Sequence, residues 1–88
     1  MAADKLDPQL RARLLARPDA PAALIVRVSG DLEQRADQVA RRGLAVERRL
    51  RLIGGLALRA TGRQALALAA EPWVLRIEED REVRALPS

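Results

Sequence analysis

The sequence predicts an α+β domain whose elements follow the order βαββαβ after a leading helix. Three observations predict it: short β-prone runs alternate with two amphipathic stretches, each stretch begins with a helix-capping signal, and a glycine pair separates the two middle β-prone runs. This order is that of the split βαβ, or ferredoxin-like, arrangement. We therefore expect a four-stranded antiparallel sheet with two helices on one face, plus an extra N-terminal helix.

The leading helix is predicted over residues 7–17. Asp7 has the character of an N-cap, and Pro8 suits the first helical position. Leucines recur at a spacing of four, at Leu6, Leu10 and Leu14, and Pro18 ends the helix. Residues 1–21 thus form an N-terminal helix and linker that precede the ferredoxin-like order.

The first strand and the following helix are predicted from residues 22–43. The run 22–28 is rich in β-prone residues. Leu24, Val26 and Val28 alternate along this strand and are expected to share its inner face. Asp31 and Gln34 match a capping box, and Gly43 suits the left-handed position that ends the helix. The expected inner face of this helix is Leu32, Ala36, Val39 and Ala40.

The two middle strands are predicted over residues 46–52 and 56–60. A two-residue Gly54-Gly55 turn would mix apolar residues and arginines on both faces. A three-residue loop over residues 53–55 keeps the leucines together. We therefore expect Leu52 to pair with Leu56 and Leu50 with Leu58.

The last helix and strand are predicted between Thr61 and residue 80. Thr61 and Gln64 match a second capping box, and the helix should run through Ala70 before Pro72. Its expected inner stripe is Leu66, Ala69 and Ala70. Trp73 has the character of a core anchor, and the last strand, residues 74–78, should bury Leu75 together with Ile77. Residues 81–88 show no further periodicity and are expected to form an extended tail.

Length and composition exclude several functional classes. The chain has 88 residues and contains neither histidine nor cysteine. The usual ligand sets for zinc, haem and iron–sulfur clusters therefore cannot be assembled, and neither can the Ser-His or Cys-His pairs of hydrolases. We expect a binding or structural module with no catalytic activity and no cofactor. The chain also lacks an apolar run of the ~20 residues that span a membrane, and its first residues lack the apolar run of a signal peptide.

The charge distribution raises nucleic-acid binding as a hypothesis. Lys and Arg number 16 against 12 acidic residues, and residues 27–63 hold nine arginines and four acids. Such a surface attracts phosphates. However, ferredoxin-like RNA-binding domains stack bases on aromatic side chains of the sheet, and the predicted strands contain none. A solvated face or a surface that docks a protein accounts for the arginines more simply. A homodimer through the sheet face is a separate alternative.

Two stretches of the second half resemble the propeptide and inhibitor domains of subtilisin-like proteases. Residues 51–60, RLIGGLALRA, are similar to the family's "RLINGFAARL". Residues 74–80, VLRIEED, are similar to its "VxYVEED" ending, at the family's spacing. The resemblance covers roughly residues 22–86. It implies a ferredoxin-like inhibitor domain over residues 22–80, whose partner is a subtilisin-like serine protease in cis or in trans.

The resemblance also implies where such a protease would be contacted. In this family the sheet docks on the protease, and the C-terminal tail lies in the active-site cleft like a product strand. Here that tail, residues 81–88, would place Val83, Arg84, Ala85 and Leu86 in the cleft, with Leu86 in the primary specificity pocket. Glu78, Glu79 and Asp80 remain open to two interpretations: a charged strand exit, or anionic groups presented to the partner.

Overall fold

The structure is a computed structural model, and it describes residues 5–80. Its helices are α1 (Pro8–Ala16), α2 (Leu32–Ala40) and α3 (Gly62–Ala69). Its strands are β1 (Pro21–Val28), β2 (Val46–Leu50), β3 (Gly55–Thr61) and β4 (Val74–Glu79). A short 3₁₀ helix, Arg51–Ile53, lies between β2 and β3. The predicted α+β class and the order βαββαβ after a leading helix are confirmed.

The four strands form one antiparallel sheet in the order β2-β3-β1-β4. The long strands β1 and β3 lie in its centre, where Leu24 pairs with Leu58 and Val26 with Leu56. These four side chains are buried and point to the helix side of the sheet, as the predicted parity of β1 requires. This open antiparallel sheet is compatible with a ferredoxin-like fold.

The extra helix α1 completes the core on the helix side. Leu6, Leu10 and Leu14 are all buried, which confirms the predicted stripe. Leu6 also forms a parallel bridge to Ile77 of β4. The Lys5 Nζ donates to the carbonyls of Ala69 and Glu71. The N-terminal segment therefore also provides hydrogen bonds to backbone carbonyls that have no partner within α3.

Local capping signals fix where the helices begin. The Asp7 carboxylate accepts from the backbone N–H of Gln9, and Asp31 accepts from that of Gln34. At α3 both halves of the capping box are present, because Thr61 accepts from the Gln64 N–H and the Gln64 side chain accepts from the Thr61 N–H. The predicted starts of all three helices are confirmed.

The predicted β2–β3 register is wrong. Strand β2 ends at Leu50, which pairs with Gly55, and Arg49 pairs with Leu56. The chain then needs four residues to turn, because Arg51–Ile53 form a 3₁₀ helix that Gly54 closes in the left-handed conformation (φ +63°). Leu52, expected inside the sheet, is fully exposed at 102%.

Three expected inward positions are also corrected. The register of β4 shifts beside Arg27, so Val74 is buried where Leu75 was expected, and Leu75 is 55% exposed. Ala40 and Ala70 occupy the last turn and the C-cap of their helices and face solvent. In α3 the buried stripe is Ala65, Leu68 and Ala69, with Leu66 only partly buried. Trp73 is partly buried and packs against the core, as expected of an anchor.

Candidate functional site: the open sheet face and the end of β4

The face of the sheet opposite the helices is termed here the open face. The strand register assigns to it the residues that alternate with the buried set. They are Ala23, Ile25, Arg27, Arg48, Leu50, Ala57, Arg59, Arg76, Glu78 and Asp80. Within residues 5–80, no helix covers this face. It combines arginines, two carboxylates and small or aliphatic side chains.

Glu78 occupies the open face on the edge strand β4. Its carboxylate lies 3.3 Å from the Nε of Arg27 on the neighbouring strand β1. It also accepts from the Nε of Arg76 on its own strand, at 3.1 Å. Two arginines therefore neutralise this carboxylate within the sheet.

Glu79, one residue on, lies on the helix side. Its carboxylate accepts a bidentate pair of hydrogen bonds from the Arg13 guanidinium of α1, at 2.6 Å from Nη2 and 3.2 Å from Nη1. The hydrogen bond and the charge of Glu79 raise the pKa of the Arg13 guanidinium. This carboxylate therefore ties the leading helix to β4 instead of lying on the open face.

Asp80 follows the last residue of β4 and returns to the open face. Its backbone N–H donates to the carbonyl of Ala23 at 2.9 Å, which extends the β1–β4 ladder by one residue. Its carboxylate accepts from an Arg48 guanidinium nitrogen at 2.7 Å. Arg48 belongs to β2, the opposite edge strand, so its side chain reaches across β3 and β1. The Asp80 side chain is only 14% exposed.

The three carboxylates singled out in the sequence thus do not act as one cluster. Glu78 and Asp80 lie on one face of the sheet and Glu79 on the other, as strict alternation requires. Each has at least one arginine partner within the chain. Their contact with a partner protein stays a prediction. The predicted cleft-binding residues Val83, Arg84, Ala85 and Leu86 lie outside the described residues.

The turn between β2 and β3 carries an apolar patch that was not predicted from the sequence. It consists of Leu50, Leu52 and Ile53. The Ile53 side chain also approaches Gly55, where a Cβ would lie 3.3 Å from it. The signal that could have revealed the patch is the glycine at position 54, which allows a tight left-handed turn after three consecutive non-strand residues.

The arginine-rich region 27–63 is extensively paired with the acids of the chain. Arg49 and Arg51 both contact Glu33 of α2, at 2.8 Å and 2.9 Å. One further pair lies along α2 and three join different parts of the chain: Arg41 with Asp37, and Arg42 with Glu71, Arg59 with Glu47, and Arg63 with Asp19. Arg35 instead stacks over the ring of Trp73, 5.2 Å from its centroid. Such pairing reduces the positive potential that a phosphate backbone would meet.

Residues 5–80 contain no cluster of acidic, histidine or cysteine side chains that could hold a metal ion. Within the same part of the chain, no helix is long and apolar enough to cross a membrane. Comparison of the chain with protein-family models, with characterised proteins and with solved structures finds no match.

Proposed function

We propose that this chain is a non-catalytic protein-binding domain that acts as an inhibitor and/or folding chaperone of a subtilisin-like serine protease. The observation that supports the proposal best is the geometry at the end of β4. This edge strand borders an open sheet face, and the chain continues from Asp80 directly into residues 81–88. A docking surface and the segment proposed to enter the protease cleft are therefore adjacent.

Chain length and residue type support this binding mode. Eight extended residues span at most about 28 Å, which is enough to follow an active-site cleft. An extended segment binds such a cleft by backbone hydrogen bonds, while alternate side chains fill the subsites. In the proposal Leu86 enters the primary pocket and Val83 the outer apolar subsite.

The test is inhibition of a purified subtilisin by the intact chain and by a version truncated after Asp80. We expect the intact chain to inhibit and the truncated one to lose most of its potency, because it keeps the docking face but lacks the segment for the cleft. A doubly substituted chain, Val83→Ser with Leu86→Ser, serves as the matched full-length control and should behave like the truncation. Equal potency of intact and truncated chains, or no inhibition by either, would contradict the tail mechanism.

The chaperone activity has a separate readout. Denatured protease is diluted into buffer with or without the chain, and the recovered activity is measured after the inhibitor has been digested or removed. If the domain templates folding through its open face, the truncated chain should still raise the recovered activity. Recovery of protease activity that is no greater than with an unrelated basic protein of this size would contradict the chaperone activity. Inhibition would then be the only activity that remains proposed.

A second candidate is a small basic scaffold that self-associates through the open face. The apolar patch at the β2–β3 turn favours it, because the patch joins Leu50 of the open face to the exposed Leu52 and Ile53. Sedimentation analysis tests this candidate. A dimer that becomes a monomer when Leu52→Ser and Ile53→Ser are combined would support self-association.

Nucleic-acid binding is the least favoured alternative, because Arg48 and Arg51 are engaged by Asp80 and Glu33. Salt-dependent RNA or DNA binding that Arg48→Ala and Arg51→Ala weaken would revive it.

A further inference from the structure

The ion pair between Arg48 and Asp80 joins the two outer strands of the sheet. In the order β2-β3-β1-β4 the outer strands are separated by three strand spacings, roughly 14 Å. Arg48 pairs with Ala57 in the register, and Asp80 bonds to Ala23 through its backbone. Alanines at these two open-face positions leave room for a long side chain to cross the sheet.

The burial of the two partners shows which one is held. The Asp80 side chain is 14% exposed, whereas the Arg48 side chain is 50% exposed. A carboxylate so shielded is not presented to a partner as a surface anion would be. Asp80 is also held at two points, because its backbone N–H donates to the Ala23 carbonyl and its carboxylate accepts from Arg48. Asp80, the last described residue, is therefore anchored to the sheet.

From this geometry we infer that Arg48 is a positioning residue: it holds Asp80 against the open face and so fixes the point at which residues 81–88 begin. The inference rests on the proposed function, in which that segment enters the protease cleft. Anchoring Asp80 before binding removes part of the ordering cost of the segment, which raises affinity without any contact between Arg48 and the protease.

Asp80 is then an anchor and not the anion presented to the protease that the sequence suggested. As an anion presented to the protease, Asp80 would bind better once Arg48 no longer competes for it. As an anchor held by Arg48, it would position the following residues less well after the same change. The two roles therefore predict opposite signs for the effect of an Arg48 substitution on inhibition.

The experiment measures inhibition by three variants, Arg48→Gln, Asp80→Asn and the two combined, and by Arg63→Gln as the control. Arg63 is the matched control, because it is also an arginine in an exposed ion pair, with Asp19 at 3.3 Å, but it belongs to α3 and lies off the open face. We expect Arg48→Gln to raise the inhibition constant about tenfold, a factor that corresponds to 1.4 kcal/mol and is close to the cost of ordering one residue's backbone. Asp80→Asn should have a similar effect, the combined variant no larger one, and Arg63→Gln less than a twofold effect.

A second measurement does not depend on any protease. Hydrogen exchange of the Asp80 amide reports whether its bond to the Ala23 carbonyl opens, and it should accelerate several-fold in Arg48→Gln but not in Arg63→Gln. Unfolding midpoints of the two variants should agree, so that a general loss of stability is not mistaken for loss of the anchor. Weaker inhibition together with faster exchange supports the inference.

Each other outcome overturns it. Tighter inhibition by Arg48→Gln would mean that Asp80 is a presented anion. Weaker inhibition with unchanged exchange would mean that Arg48 contacts the protease itself, and faster exchange with unchanged inhibition would mean that the anchor does not serve the tail. If the unsubstituted chain does not inhibit, the proposed function is contradicted. Unchanged exchange in Arg48→Gln would then also contradict the anchoring of Asp80 by Arg48.

Discussion

Gly62 is the position where a one-carbon change has the most readily calculated consequence. It is the first residue of α3 and is buried where α1 crosses that helix. A Cβ built on Gly62 would lie 2.2 Å from the backbone carbonyl oxygen of Leu14, whereas ordinary van der Waals contact begins at 3.4 Å. The obstacle is main chain, so no change of rotamer can relieve it. Gly62→Ala must therefore move α1 away from α3 by about 1 Å.

The expected magnitude is the difference between two opposing effects. Overpacking of this kind destabilises a protein by about 1–3 kcal/mol, and the displaced helix carries the buried Leu10 and Leu14 with it. Alanine in place of glycine would otherwise favour a helix by up to ~1 kcal/mol. We therefore expect a net loss of about 1–2 kcal/mol in the free energy of unfolding, or roughly 4–16 °C in Tm for a domain of this size.

The assay is urea unfolding of the intact chain and of Gly62→Ala, followed by circular dichroism. Arg63→Ala is the matched control: it lies next in the same helix turn, and its ion pair with Asp19 is exposed, so its effect should stay below about 0.5 kcal/mol. Amide exchange should show faster opening of α1 than of β1 and β3 in Gly62→Ala. An unchanged or raised stability of this variant would refute the close packing of α1 on α3.

Two further predictions concern the sheet and its helices. Leu58→Ala should lower the free energy of unfolding by about 2–5 kcal/mol because its side chain lies in the centre of the core, whereas Leu52→Ala should change it by less than about 0.5 kcal/mol. Equal effects in denaturant unfolding would restore the register expected from the sequence. Thr61→Ala should cost about 1 kcal/mol through loss of the α3 capping box, and Thr61→Ser should retain most of that stability; equal losses in both variants would contradict the capping role.

Sequence reasoning succeeds here where the structure is set by local chemistry. The three N-caps, the leucine stripe of α1 and the inward parity of β1 follow from residue type and period, and all are found in the structure. Together with the element order, they suffice for the fold class. They require no knowledge of which segments meet in space.

The errors arise where a single residue changes the register. Glu47 and Leu75 each lie where the ladder shifts by one residue, and a shift of one exchanges the two faces of a strand. Neither residue differs in type from its neighbours in a way that marks a bulge. The four-residue turn after Leu50 is a similar case, because the glycine pair allowed several loop lengths and only the assembled sheet selects one.

The sequence locates the acidic residues at the end of β4 but does not predict their ion pairs. Glu78, Glu79 and Asp80 form a contiguous acidic run in the sequence, which suggests one anionic surface. In the sheet, alternation separates them, and arginines from four different elements engage them: Arg13 from α1, Arg27 from β1, Arg48 from β2 and Arg76 from β4 itself. The first three lie 32 to 66 residues away along the chain, so no local sequence pattern predicts these pairs.

This pairing bears on how the domain would recognise a protein. Exposed ion pairs contribute little to stability and are screened by salt, but together they leave a surface with short-range charge complementarity instead of a strong field. Long-range attraction to a partner is then weak, and discrimination must come from groups that act at contact distance. In the functions proposed above those groups would be residues 81–88 and the apolar turn at Leu52 and Ile53. The arginines would then act mainly within the domain, where they hold the strand ends and the leading helix in place.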